Sequence, residues 1–125
     1  MAGGKMLNAE IQARVKRMVA LHTSNYRHAK SMGYDVQKMA LPSYETQEDF
    51  DQYRPEDVGN DFHEENEFVT EILKGLLENS VPATLVTVCF PDFKKWLNGR
   101  QITSETRAAY CGYLLAKEER SKGNA

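Results

Sequence analysis

Apolar residues recurring every three or four positions limit how this chain can fold. In the first such stretch Ile11, Val15, Met18, His22, Tyr26 and Ala29 make one stripe behind Asn8, a good N-cap. Side chains at this spacing share one face of an α-helix. A helix is therefore predicted from Asn8 to about Met32, with Gly33 as its stop. Its opposite face carries Arg14, Lys16, Arg17, Arg27 and Lys30, either a solvated face or one lying along phosphates. A second stripe, Phe62, Val69, Ile72, Leu73, Leu76 and Leu77, follows Asp61 and ends near Asn79. Glu64, Glu65 and Glu67 occupy its first turns, where carboxylates suit the positive end of the helix dipole. A third, Ala109, Tyr110, Tyr113 and Leu114, follows Thr103 or Ser104 as cap.

Shorter elements lie between. Ser43–Tyr53 reads as a short helix with Phe50 and Tyr53 turned inward, and Arg54–Asn60, holding Pro55 and Gly59, as a loop. Pro91 and Asp92 start another short helix that stops at Asn98-Gly99. Tyr34–Ser43 is ambiguous and broken by Pro42. Val81–Phe90 carries two signals: Thr84–Val88 has the β-branched content of a strand, yet Ser80 before Val81-Pro82 looks like a cap with proline in the first turn. With no partner strand evident elsewhere, helix is favoured there. The expected fold is all-α, a single domain of five or six helices over residues 8–120, with flexible tails at 1–7 and 121–125. At 125 residues and 41% hydrophobic content, one core is affordable with efficient packing.

The net charge of −2 hides a strong segregation. Residues 1–40 carry seven Lys/Arg against Glu10 and Asp35, a balance of +5. Residues 41–80 carry twelve acids against Arg54 and Lys74, a balance of −10, and the remainder returns to +3. Such a layout marks a basic surface beside an acidic one, or segments that neutralise one another in the fold.

Several functions find no footing. No apolar run approaches the roughly 18–20 residues that span a bilayer, and no apolar leader follows Lys5, so no membrane partner and a cytoplasmic location are expected. The acidic loop fails the calcium-hand spacing: starting from Asp57, Gly59 and Phe62 fall at positions three and six. His63-Glu64 lacks the second histidine of a zinc-peptidase helix. Cys89 and Cys111 are isolated among apolar residues, so both are expected as buried, reduced thiols. With no nucleophile elbow and no phosphate loop, the chain is expected to be no enzyme and to need no cofactor and no metal.

One stretch suggests a role. Trp96-Leu97-Asn98-Gly99-Arg100 precedes Ile102-Thr103-Ser104-Glu105-Thr106, with Ala83, Val86, Val88 and Phe93 at packed positions before it. Residues 72–115 thereby resemble the helix-turn-helix of the Cro/repressor class, antitoxin branch. Thr87 stands where that family has its turn glycine, and Asp92 at a contacting polar position. Phe93-x-x-Trp-Leu-x-x-Arg, followed by Thr103-x-x-Thr-Arg-x-x-Tyr110, also resembles the first helix pair of a tyrosine-recombinase core-binding domain. The resemblance implies a small DNA-binding regulator, dimeric on double-stranded DNA. Lys94, Lys95, Arg100 and Arg107 would neutralise phosphates, and Asn98 would reach a base edge or a phosphate. The rival expectation is a protein-interaction or inhibitor module whose acidic 45–78 surface, with Glu64, Glu65 and Glu67, meets a protein partner.

Overall fold

In a computed structural model of the chain, residues 9–123 are described, so the expected tail at 1–7 and the last two residues lie outside them. The elements in order are α1 (Ala9–Ser31), β1 (Met39–Tyr44), α2 (Gln47–Tyr53), a 3-10 turn (Pro55–Asp57), α3 (Phe62–Glu78), β2 (Ala83–Val88), α4 (Phe90–Leu97) and α5 (Ser104–Gly123). The all-α expectation needs correcting: the protein is mostly helical, but β1 and β2 form a two-stranded parallel sheet. The helix favoured for 81–90 is a strand over Ala83–Val88, and its partner is the ambiguous segment around Pro42. Once a partner exists, the β-branched content of Thr84–Val88 outweighs the capping signal at Ser80.

The register pairs Met39 with Ala83 and runs to Tyr44 with Val88. Met39 N–H donates to the Pro82 carbonyl at 2.9 Å, which sets the phase of the ladder. Met39, Leu41 and Ser43 direct their main-chain groups at β2, whereas Ala40, Pro42 and Tyr44 direct theirs outward. Pro42 thus sits where a missing N–H loses no ladder bond. At Tyr44 the outward groups are taken by Asn66 of α3: Tyr44 N–H donates to Asn66 Oδ1 at 3.0 Å and Asn66 Nδ2 donates to the Tyr44 carbonyl at 2.7 Å.

Strand alternation distributes the core between two faces. Met39, Leu41, Ala83 and Leu85 pack against Val69, Ile72 and Leu76 of α3, with Val15, Met18, Val19 and Tyr26 of α1 joining the same cluster. Ala40 and Val86 pack against Cys111, Leu114 and Leu115 of α5. At the strands' C-terminal ends, Tyr44 and Val88 lead into an aromatic cluster of Phe50, Tyr53, Phe93 and Tyr110. Where α1 crosses α3, Gly75 lets the helices touch: a Cβ there would lie 2.6 Å from Val19 Cγ2.

Other expectations shift by a turn or a residue. The inward stripe of α5 is Tyr110, Cys111 and Leu115, while Ala109 and Tyr113 are exposed. Leu77, expected inside, is also exposed, and so is Cys89; Cys111 alone of the two cysteines is buried. Thr103 is the cap of α5, since Thr106 N–H donates to its Oγ1 at 3.0 Å. That helix runs on to Gly123, past the expected boundary at residue 120. Asp61 makes no side-chain cap bond; Phe62 N–H donates instead to Gln47 Oε1 at 3.1 Å, tying α2 to α3.

Candidate functional site

The five residues that the resemblance assigns to DNA are dispersed by the fold into different roles. Lys94 and Lys95 are exposed on α4, and among the described residues neither makes an ion pair. Asn98 closes α4 in the left-handed region at φ 52°. Arg100 lies over the Trp96 ring at 4.3 Å and donates to the carbonyls of Trp96 and Leu97, both at 2.8 Å, so its guanidinium caps α4. Arg107 pairs with Glu56 at 2.9 Å, and its own carbonyl accepts from Tyr53 Oη at 3.0 Å. With Ala83–Val88 extended, the helix that should precede the reading helix is a strand. The α4–α5 pair remains, with two of its four cations committed within the protein.

The acidic trio also divides. Glu64 and Glu67 are exposed, whereas Glu65 is half-buried, and burial raises its pKa against the pull of Arg54.

A site not read from the sequence opens along β1. It is a cleft of about 630 Å³ with the outer edge of Ala40–Pro42 in its lining. Arg14, Arg17, Met18 and His22 of α1 form one wall, and Ser104, Arg107, Ala108 and Cys111 of α5 the other. Arg54, Asp57 and Glu65 also line it. Sequence offered two faint signals for it: the proline in a strand-length segment, which marks an edge, and the basic face of α1.

The polar groups of the cleft are fixed from behind. Arg54 Nε donates to Asp57 Oδ2 at 2.7 Å, and Glu56 Oε2 lies 3.8 Å from Arg54 Nη2 and 2.9 Å from Arg107 Nη2. Glu56 therefore ties the 3-10 turn to the start of α5. Tyr53 Oη sits 3.6 Å from Cys111 Sγ, and burial pushes the Cys111 thiol upward in pKa, which disfavours its nucleophilic thiolate. Burial likewise raises Tyr53 and Tyr44 far above the ordinary phenol range. The Tyr44 hydroxyl is buried and has no hydrogen-bond partner among the described residues.

His22 gives the cleft a measurable pH signature. Burial lowers its pKa below the ordinary imidazole value of about 6.5. The folded chain thus holds fewer protons there than the unfolded chain, so the contribution of neutral His22 is present above that value and lost as pH falls through the lowered one. The melting temperature should decline more steeply in the parent than in His22→Gln when pH is lowered from about 7.5 to about 5.5. Glu65, shifted upward, acts in the opposite sense in both proteins and cancels from the comparison. Parallel slopes would remove His22 from this account.

A second concavity of about 770 Å³ follows the α1–α3 contact on the other side of α1. Its lining mixes Lys16, Arg27 and Lys74 with Glu71 and Glu78, and Lys74 already pairs with Glu71 at 3.0 Å. It includes no strand residue, which leaves the smaller cleft as the better candidate. No helix of the described residues is long and apolar enough to cross a membrane, and no group of three or more metal-ligating side chains is found among them. No family model matches the chain, and neither a curated protein nor a solved structure matches it.

Proposed function

We propose that the chain is a non-enzymatic protein-interaction module that receives an extended segment of a partner along the outer edge of β1. One observation carries this reading: Ala40 and Pro42, whose main-chain groups point away from β2, line the cleft, while Asn66 occupies the outward groups of Tyr44. Unpaired strand groups of this kind are templates for a further strand, with main-chain bonds giving affinity and side-chain pockets giving choice. The raised pKa of the Cys111 thiol favours binding over nucleophilic chemistry in the same cleft.

Ala40→Pro tests the reading. Proline suits an edge strand, removes the outward N–H and leaves the β2-facing ladder intact. Peptides selected from a displayed library on the parent chain should lose binding to a folded Ala40→Pro variant. Equal binding to both would sink the proposal.

A second reading keeps duplex DNA as the partner, favoured by the exposure of Lys94 and Lys95 without ion pairs. It expects a mobility shift of random duplex at low salt that weakens at about 200 mM salt and in the Lys94→Ala/Lys95→Ala variant. No shift at any salt would end it.

A further inference from the structure

We infer that the segment received by β1 is acidic, with carboxylates at alternate positions that face the arginines of α1. This rests on the strand-addition reading above and adds the chemistry of the occupant.

The charge balance of the cleft comes first. Its lining holds four arginines, Arg14, Arg17, Arg54 and Arg107, against two carboxylates, Asp57 and Glu65. Arg54 is engaged by Asp57, and Arg107 by Glu56. Those pairs fix two guanidinium groups in place, and Arg14 lies within the field of Glu65, which leaves Arg17 as the uncompensated cation of the α1 wall. Arg17 is exposed and makes no ion pair among the described residues. Arg14 is spread over the Phe68 ring at 4.8 Å, which holds its guanidinium beside the opening. A carboxylate complements this wall, and a lysine-bearing segment is repelled by it.

The sheet supplies the spacing. Side chains of an added strand alternate between the two faces, as in β1 itself. One face leads to α1 and α3 and the other to α5, because Leu41 packs with the first group and Ala40 with the second. Every second residue therefore meets Arg14 and Arg17, and those between meet Ala108 and Cys111, which suit small apolar side chains. The pattern that follows is acidic–apolar–acidic.

Fluorescence anisotropy of the full chain with four labelled dodecapeptides tests the inference. The first alternates glutamate with valine or threonine; the second and third carry glutamine or lysine in place of every glutamate; the fourth keeps the glutamates and has proline at every other position. The acidic strand peptide should bind at least about tenfold more tightly than its glutamine counterpart, the weight of one charge-assisted hydrogen bond. Arg17→Glu should abolish that advantage and give the lysine peptide the higher affinity, whereas Arg120→Glu on the distal part of α5 should change nothing. Equal affinity for the glutamate and glutamine peptides overturns the acidic assignment but leaves strand addition standing. Equal affinity for the proline peptide overturns strand addition and reduces the effect to surface charge. Absence of binding by all four up to about 1 mM, a free energy near −4.1 kcal/mol, overturns both.

Discussion

Phe93→Ala will lower the free energy of unfolding by about 3–5 kcal/mol, the range for truncating a fully buried phenylalanine. Phe93 has no solvent exposure and touches four other aromatic rings. Its ring centroid lies 4.7 Å from Tyr53, 4.9 Å from Tyr110, 6.1 Å from Trp96 and 6.2 Å from Phe90. These rings come from α2, α4 and α5, so the cavity falls where three helices meet the strand ends. None of the three can close it alone, because each is also held elsewhere: α2 by the Gln47–Phe62 bond, α5 by the Arg107–Glu56 pair, and α4 by the turn at Asn98. Against a typical total of about 5–15 kcal/mol, such a loss brings the domain close to unfolding at physiological temperature. Urea titration should show a lower midpoint with an unchanged slope. A loss under about 1 kcal/mol would mean that the aromatic cluster is less well packed than described.

The second large effect belongs to Gly75→Leu. A Cβ at this position would meet Val19 Cγ2 at 2.6 Å, well inside van der Waals contact, and leucine adds three more carbons in the same direction. Valine in a helix has one strongly preferred rotamer and cannot swing clear, so α1 has to move off α3. Overpacking of this kind costs about 1–3 kcal/mol, and the upper part of that range is expected here. Gly75→Ala should cost less, because alanine recovers about 1 kcal/mol of helix propensity relative to glycine. A double-mutant cycle separates the contact from the propensity: Val19→Ala should be less damaging in the Gly75→Leu background than in the parent. Strict additivity would place the strain elsewhere. Because α1 carries Arg14 and Arg17, displacement of this helix should also weaken any ligand held by the cleft.

The four longer helices were legible in the sequence because each carries its own evidence: a three-to-four-residue apolar stripe, a capping residue or a glycine stop. The sheet was not, for a physical reason. β1 reads Met-Ala-Leu-Pro-Ser-Tyr, with a proline and no run of β-branched residues, and only its pairing makes it a strand. β2 has the right residues, Ala-Thr-Leu-Val-Thr-Val, but a parallel strand needs a distant partner, and that partner carried no mark of its own. The cleft was hidden for the same reason, since its walls come from α1 and α5 and its floor from β1. Arg107 shows the limit of reading by position: the same guanidinium that fits a phosphate contact in the sequence is bound to Glu56 in the fold. Tyr113 and Leu77 show that a helical period locates a face only to within about one turn, since each sits at the margin of its stripe and ends up exposed.

Every rung of the β1–β2 ladder joins residues 44 positions apart, from Met39 with Ala83 to Tyr44 with Val88. No rung can form until the intervening chain, including α2 and α3, has been drawn into a closed loop, and that entropy is lost before the first strand bond repays it. Asn66 lies within this loop and holds Tyr44 from α3, so it can deliver the end of β1 to its place before β2 arrives. Local helix pairs such as α4–α5 close shorter loops, so sheet closure is expected to follow them and to limit the folding rate, which stopped-flow refolding of a Tyr44→Ala variant would check. On this expectation the open edge of β1 takes its final shape only when β2, 44 residues further along the chain, has docked beside it.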